Sequence, residues 1–178
     1  MVRTQANSEP TTERPDMEDY GVPSDLEGTL PWHWASERLV RNRNYWVVTA
    51  DRSGRPHSMP VWGVWRPDVN DFWFSCSPKS RKARNVAQNP AYVVTVDDTV
   101  ECVSVEGRAR IVDVDTEATD LDDVVSSYLS KYWEDPTEHA EMEAFLRSHT
   151  VIAVTPERAF GVIERADEFS ERATRWSW

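Results

Sequence analysis

Ser77-Pro78-Lys79-Ser80-Arg81-Lys82-Ala83-Arg84-Asn85 follows directly on the apolar segment Phe72-Trp73-Phe74. Ser77 suits a helix N-cap and Pro78 the first helical position, so the stretch reads as a helix entered from a strand. Lys79, Arg81, Lys82 and Arg84 then crowd its first two turns. The helix macrodipole is already positive there, and each exposed cation costs about 0.3–1 kcal/mol. An anion on that helix end resolves the conflict, held by free backbone N–H groups and by the Lys and Arg heads. The chain as a whole carries formal net charge -11, so the cluster is no by-product of general basicity. The pattern points to a phosphate site, with a solvated Lys/Arg helix face as the alternative.

Working outward, 178 residues suffice for one domain with a sizeable core. A hydrophobic share of 39% beside 29% charged residues describes a soluble globular chain. No apolar run reaches membrane-span length, and the N-terminus has no signal-peptide core, so a cytoplasmic protein is expected. Cys76 and Cys102 lack metal-ligand spacing, and a disulfide between them is not expected in a reducing compartment. The acidic balance argues against nucleic acid as a partner. Nine Trp residues are many for this length, and such rings serve cores, interfaces and planar ligands alike.

Residues 1–28 are polar, punctuated by Pro10, Pro15 and Pro23, and set seven acidic residues against two Arg. They read as a flexible N-terminal arm, disordered or pinned, ahead of a domain over 29–178. Trp32 to Arg43 reads as a short helix with Trp32, Ala35, Leu39 and Val40 on its apolar side. Tyr45–Ala50, His57–Trp65 and Phe72–Cys76 read as a meander of three strands, its first reversal at Asp51–Arg55 with Gly54 at positive φ. The basic helix is expected to run to Asn89, which would supply a left-handed cap before Pro90. Ala91–Val96 and Val100–Val114 follow as strands, with Gly107 marking a bulge or close approach. Thr116–Lys131 and Pro136–Ser148 read as helices, and Leu121, Val124, Val125, Tyr128 and Leu129 as ordinary core packing. Val151–Thr155 and Phe160–Ile163 close the set around a Pro156 turn. Together these predict a mainly β, α+β domain: a six- to seven-stranded antiparallel barrel with peripheral helices.

Other candidate chemistry is sparse. His57 is a candidate general acid, with a side chain that simply faces water or a turn as the favoured alternative. His33, His139 and His149 are scattered and suggest no metal cluster. There is no nucleophile elbow and no Gly-rich phosphate loop. Trp62 and Trp65, three apart on a strand, point to opposite faces, one to the core and one to a ligand or partner. Trp176 and Trp178 are expected to dock on the barrel core or cover a groove.

The order Gly54-Arg55-Pro56-His57-Ser58-Met59-Pro60-Val61-Trp62, then Phe72-Trp73-Phe74-Ser75, Ser80-Arg81-Lys82-Ala83-Arg84-Asn85 and Asn89-Pro90 resembles the pyridoxamine 5'-phosphate oxidase-like split β-barrel superfamily. Val105-Glu106-Gly107-Arg108-Ala109 fits the same pattern, and the Trp-rich second strand with Thr174-Arg175-Trp176 resembles its actinobacterial flavin- or deazaflavin-dependent oxidoreductases. The resemblance covers residues 30 to 178. It implies a homodimer with the cofactor ring in a groove between subunits. It implies that His57, Ser58, Met59, Pro60, Val61 and Trp62 line the ring, chiefly through backbone atoms. Ser75 and Cys76 would lie beside the phosphate and ribityl chain. Ser80, Arg81 and Lys82 would take the phosphate, with Lys79 and Asn85 in the same set. Cys102 stands where flavin-binding relatives place a Gln, and a thiol cannot make the same pair of hydrogen bonds. The C-terminal Arg/His substrate segment of the true oxidases is not evident, so their specific activity is not implied.

The expectation is therefore a homodimeric oxidoreductase moving hydride between coenzyme F420, with FMN as the alternative cofactor, and a small organic substrate. The cofactor performs the chemistry in such a site, and no catalytic residue or metal is named. More cations than one phosphate needs favour F420, whose anionic tail Lys79 and Arg84 could reach. The alternative is a non-enzymatic carrier of flavin, deazaflavin or haem.

Overall fold

The computed structural model describes residues 9–178. In chain order the elements are β1 (Thr11–Glu13), α1 (Trp32–Arg41), β2 (Tyr45–Ala50), β3 (Pro56–Val61), β4 (Val64–Arg66), β5 (Asp71–Cys76), α2 (Arg81–Val86), β6 (Ala91–Val96) and β7 (Glu101–Ile111). There follow α3 (Ala118–Tyr132), α4 (His139–Arg147), β8 (Thr150–Ile163), α5 (Phe169–Arg172) and β9 (Thr174–Ser177).

All strand pairs are antiparallel. The path runs β1-β9-β8-β7-β6-β2-β3, with β5 also paired to β8 and β4 to β5. Since β3 and β4 are consecutive, a bend at Trp62–Gly63 carries the chain from the edge beside β2 to the edge beside β5, and the sheet closes into a barrel. Pairing on the β4 side stops at Val64↔Trp73. Continued in register it would set Trp62 opposite Ser75 and Pro60 opposite Ser77, but there the strands part and the barrel is split. Pro60 has no N–H to offer a ladder, and β3 carries a second proline, Pro56, as befits an edge strand. At the bend, a Cβ on Gly63 would stand 2.2 Å from the Phe72 ring, so only glycine lets the chain pass this close.

The barrel interior is filled from every wall. Tyr45, Val47, Trp65, Phe72, Phe74, Val94, Val103, Val105, Ile152 and Val154 form one buried cluster, plugged by Leu39 of α1, Ala83 and Val86 of α2, and Trp176 of β9. A second cluster lies outside the barrel, where Leu121, Val124, Val125, Tyr128 and Tyr132 of α3 and Leu146 of α4 cover Val64, Trp73, Val151 and Ala153. Arg66 locks this layer: its guanidinium is 2.6 Å from Asp71 and 2.9 Å from Asp120 of α3.

Several sequence expectations shift. The strand expected over His57–Trp65 is two, broken at the bend. The Pro156 turn does not exist, because β8 runs unbroken through Thr150–Ile163. A bulge at Glu106/Gly107 sets Gly107 against Pro156, where a Cβ on Gly107 would meet the Thr155 carbonyl at 2.2 Å. The basic helix is shorter at both ends. Its N-cap is Ser80, whose Oγ accepts from the Ala83 N–H at 3.1 Å, and it stops at Val86. Ser77 and Pro78 belong to the preceding turn, and Asn89 has no left-handed φ; Asn70 does, at 51°. Of the arm over 1–28, residues 1–8 lie outside the described residues. The remainder is pinned: β1 pairs with β9, and Arg14 donates to the backbone carbonyls of Asp25, Glu171 and Ala173.

Candidate functional site

The split between β3 and β5 opens a cavity of about 470 Å³. Pro60, Val61 and Trp62 form one wall, and Ser75, Cys76, Ser77, Ser80 and Lys82 the opposite one. The helical layer closes it with Tyr128, Trp133, Phe145 and Leu146. A larger concavity of about 720 Å³ lies elsewhere, between α1 and the Pro67–Asn70 turn, bordered by Glu9, His33, Glu37 and Arg41. It combines both charge signs and does not adjoin α2, so the cleft at the split is the better anion site.

The polar wall is organised around Ser80. Its hydroxyl caps α2 and lies 3.3 Å from the buried Cys76 Sγ, which ties the helix start to the end of β5. The turn before it closes with Ser80 N–H to the Ser77 carbonyl at 2.9 Å. Only Arg81 and Lys82 occupy the first turn of the helix. Arg84 falls in the last turn and donates to the Lys79 carbonyl, so the four-cation crowding at the N-terminus reduces to two. Among the described residues no carboxylate forms an ion pair with Arg81 or Lys82. Their field reaches the neighbouring strand: partial burial first, then Arg81 and Lys82, push the His57 imidazole below its usual range.

The sequence-nominated residues thus divide. Pro60, Val61, Trp62, Ser75, Cys76, Ser80 and Lys82 meet in one cavity. His57, Ser58 and Met59 lie further along β3, whose outer edge has no strand partner among the described residues and leaves backbone groups free. Arg81 and Lys79 are exposed beside the cavity. Asn85 is buried instead, donating from Nδ2 to the Thr49 hydroxyl at 2.9 Å and pinning α2 to β2. Cys102 is half-buried on β7, away from the cavity, and burial, then Glu164 and Asp98, push its thiol up. Trp65 is in the core and Trp62 is 51% exposed, as opposite faces require. Trp176 is fully buried, so the tail is core rather than a cover for the groove.

The contribution of Ser77, Trp133 and Phe145 was not legible in the sequence, and Tyr128 was read only as core. The excess of aromatic residues at the C-terminal end of α3, Tyr128-Leu129-Ser130-Lys131-Tyr132-Trp133, was the available signal. Trp62 stacks on Tyr132 with centroids 5.0 Å apart and meets Trp133 edge-on at 5.8 Å. The cavity therefore combines a hydroxyl-bearing wall carrying Lys82 with aromatic side chains. Among its described lining residues there is no carboxylate and no histidine. Among the described residues no group of three or more His, Cys, Asp and Glu is placed to hold a metal ion, and no helix is long and apolar enough to cross a membrane.

The fold is a split antiparallel barrel with a cleft beside an edge strand. Residues 35–163 match the family described as pyridoxamine 5'-phosphate oxidase, and the chain belongs to that family. Among solved structures it is similar to the conserved hypothetical protein Rv2991 from Mycobacterium tuberculosis, with 20% identity, TM-score 0.64, and 76% of this chain and 86% of that one covered. It is also similar to an FAD-binding protein from Mesorhizobium loti, with 20% identity, TM-score 0.56, and 84% and 96% covered. A third is HutZ, the haem storage protein from Vibrio cholerae, with 18% identity, TM-score 0.56, and 74% and 92% covered. At these identities the likeness establishes the fold. None of the curated proteins compared with the chain matches it.

Proposed function

We propose that the protein binds coenzyme F420, with FMN as the alternative, in the split between β3 and β5, and transfers hydride between that cofactor and a small organic substrate. The observation that carries the reading is the cavity itself: Lys82, Ser77 and Ser80 on one wall, combined with the Trp62 and Trp133 rings. That donor set fits a phosphate followed by a planar ring. Lys82 and the two hydroxyls would hold the phosphate, with Arg81 adding charge from outside; the free edge of β3 would offer backbone groups to the ring. When bound, the cofactor supplies the hydride chemistry. The chain's own part is to anchor the anion, orient the ring and keep water from it. With no carboxylate or histidine in the lining, the proton is taken from or returned to solvent.

The active unit is proposed to be a cytoplasmic homodimer. Trp46 is 47% exposed on the outer face of β2, opposite to the face of the buried Val47, and a bare indole there is a costly surface for a lone protomer. A non-enzymatic carrier is the second reading, favoured by the lack of a carboxylate or histidine among the described lining residues. Solved structures of the same fold include an FAD-binding protein and a haem storage protein, so the fold is compatible with both readings. Titrating the protein with F420 and with FMN, then assaying reduction and oxidation of the bound cofactor, separates them. Binding with turnover is the expected result; tight binding without turnover of any donor or acceptor identifies a carrier.

A further inference from the structure

Three side chains of α3 converge on the bend that splits the barrel. Tyr128, Lys131 and Tyr132 share one face of the helix by their three- and four-residue spacing. The Tyr128 hydroxyl donates to the Trp62 carbonyl. The Gly63 N–H donates to the Tyr132 hydroxyl at 2.9 Å, and that hydroxyl has the carbonyls of Arg43 and Gly63 within 2.7 and 2.9 Å. Lys131 Nζ donates to the Gly63 carbonyl at 3.1 Å and to the Tyr45 hydroxyl at 2.7 Å. The Tyr45 hydroxyl in turn donates a hydrogen bond to the Leu39 carbonyl, so a single ammonium joins α3, the bend, β2 and α1. Both peptide units of the bend are therefore gripped from α3. Trp62 leaves this grip stacked on Tyr132 and facing the cavity.

We infer that Lys131 is a positioning residue: with Tyr128 and Tyr132 it clamps the Trp62–Gly63 bend and so fixes the Trp62 ring as the wall of the ligand cavity, loosening that wall when it loses its charge. The inference rests on the proposed function only in taking that cavity as the cofactor site.

The clamp is built on a cation without an anion. Among the described residues no carboxylate pairs with Lys131. Its partners are a carbonyl, a phenol, and the faces of Tyr45 and Tyr132 at 4.9 and 5.6 Å. Arg43 adds like charge from ahead of β2 and donates to the Lys131 carbonyl at 2.8 Å. Burial, then Arg43, lower the ammonium to about 8. The three tyrosines facing it are pushed up, away from that range. Burial drives Tyr45 upward, aided by Tyr132, Tyr128 and Asp97 across the β6–β7 turn. Burial likewise raises Tyr128, and takes Tyr132 to about 12. Through the range pH 7–9.5, Lys131 is the member of this cluster that changes charge. A neutral amine keeps two of its three N–H donors, but its hydrogen bonds are weaker and the cationic attraction to the two rings is gone.

The test follows Trp62 by itself, as the difference in near-ultraviolet circular dichroism between each protein and its Trp62→Phe counterpart, from pH 7 to 9.5. In the wild type the Trp62 signal steps near pH 8. Lys131→Arg removes the step, since guanidinium stays charged. Lys131→Met shows the high-pH signal throughout. In parallel the dissociation constants of FMN and F420 rise about three- to tenfold across the wild-type step and not in Lys131→Arg. A wild-type signal without a step overturns the inference, as does a step preserved in Lys131→Arg. If neither cofactor binds, the proposed function fails while the Trp62 signal still decides the role of Lys131.

Discussion

At the scale of single residues the cleft carries two cations, Arg81 and Lys82, with no ion-paired carboxylate among the described residues. Arg81 and Lys82 leave the His57 imidazole in a positive field. A bound phosphate reverses that field, so His57 should titrate below its ordinary value in the free protein and move up on binding. Because the bound state then takes up protons, affinity for a phosphorylated cofactor increases as pH falls through the His57 range. Titration of the His57 ring by NMR, with and without FMN or F420, measures both midpoints; an unmoved midpoint in the presence of bound cofactor contradicts the placement of its phosphate. Arg81, exposed beside the cavity, should matter less than Lys82, with Arg81→Ala raising the dissociation constant by less than about tenfold. The basic cluster was legible because its composition opposed the rest of the chain. Asn85 was not: an amide in a basic helix looks the same in sequence whether it meets a ligand or a threonine on a neighbouring strand. Ser77 and Ser80 could both cap a helix, and only the position of Cys76 beneath Ser80 decides between them.

At the scale of elements, β9 is what ties the end of the chain to its beginning. Trp176 fills the space over Gly161, where a Cβ would stand 2.6 Å from its ring. Truncating it by Trp176→Ala should cost about 3–5 kcal/mol in denaturant unfolding. It should also release β1, read as loss of amide protection at Thr11–Glu13. Near-wild-type stability would show that the tail is peripheral. Strand identity was largely readable, since Tyr45–Ala50 and Ala91–Val96 are rich in β-branched and aromatic residues. Two features escaped for local reasons. Pro156 looked like a turn because its partner, the bulge at Gly107, is distant in sequence. The break at Trp62–Gly63 was masked by the β-forming residues on both sides of it.

At the scale of the whole molecule, the barrel is split where one edge strand must leave β2 for β5, and the ligand cleft is a consequence of that departure. The closure of the sheet was legible as a class of architecture. The helical lid over the cleft was not, because the buried stripe of α3 gives no sign of what it covers. The exposed apolar face around Trp46 belongs to the same scale. Trp46→Glu is expected to shift the sedimentation coefficient from dimer to monomer and to weaken cofactor binding with it; a wild-type protein that sediments as a monomer refutes the dimer. The most direct measurement of the central claim is a fluorescence titration of the wild type and of Lys82→Ala with F420 and FMN. Binding by the wild type, weakened about ten- to a hundredfold by loss of one charged contact to phosphate, is the predicted result. Equal dissociation constants for the two proteins, or no binding of either cofactor by the wild type, would contradict it.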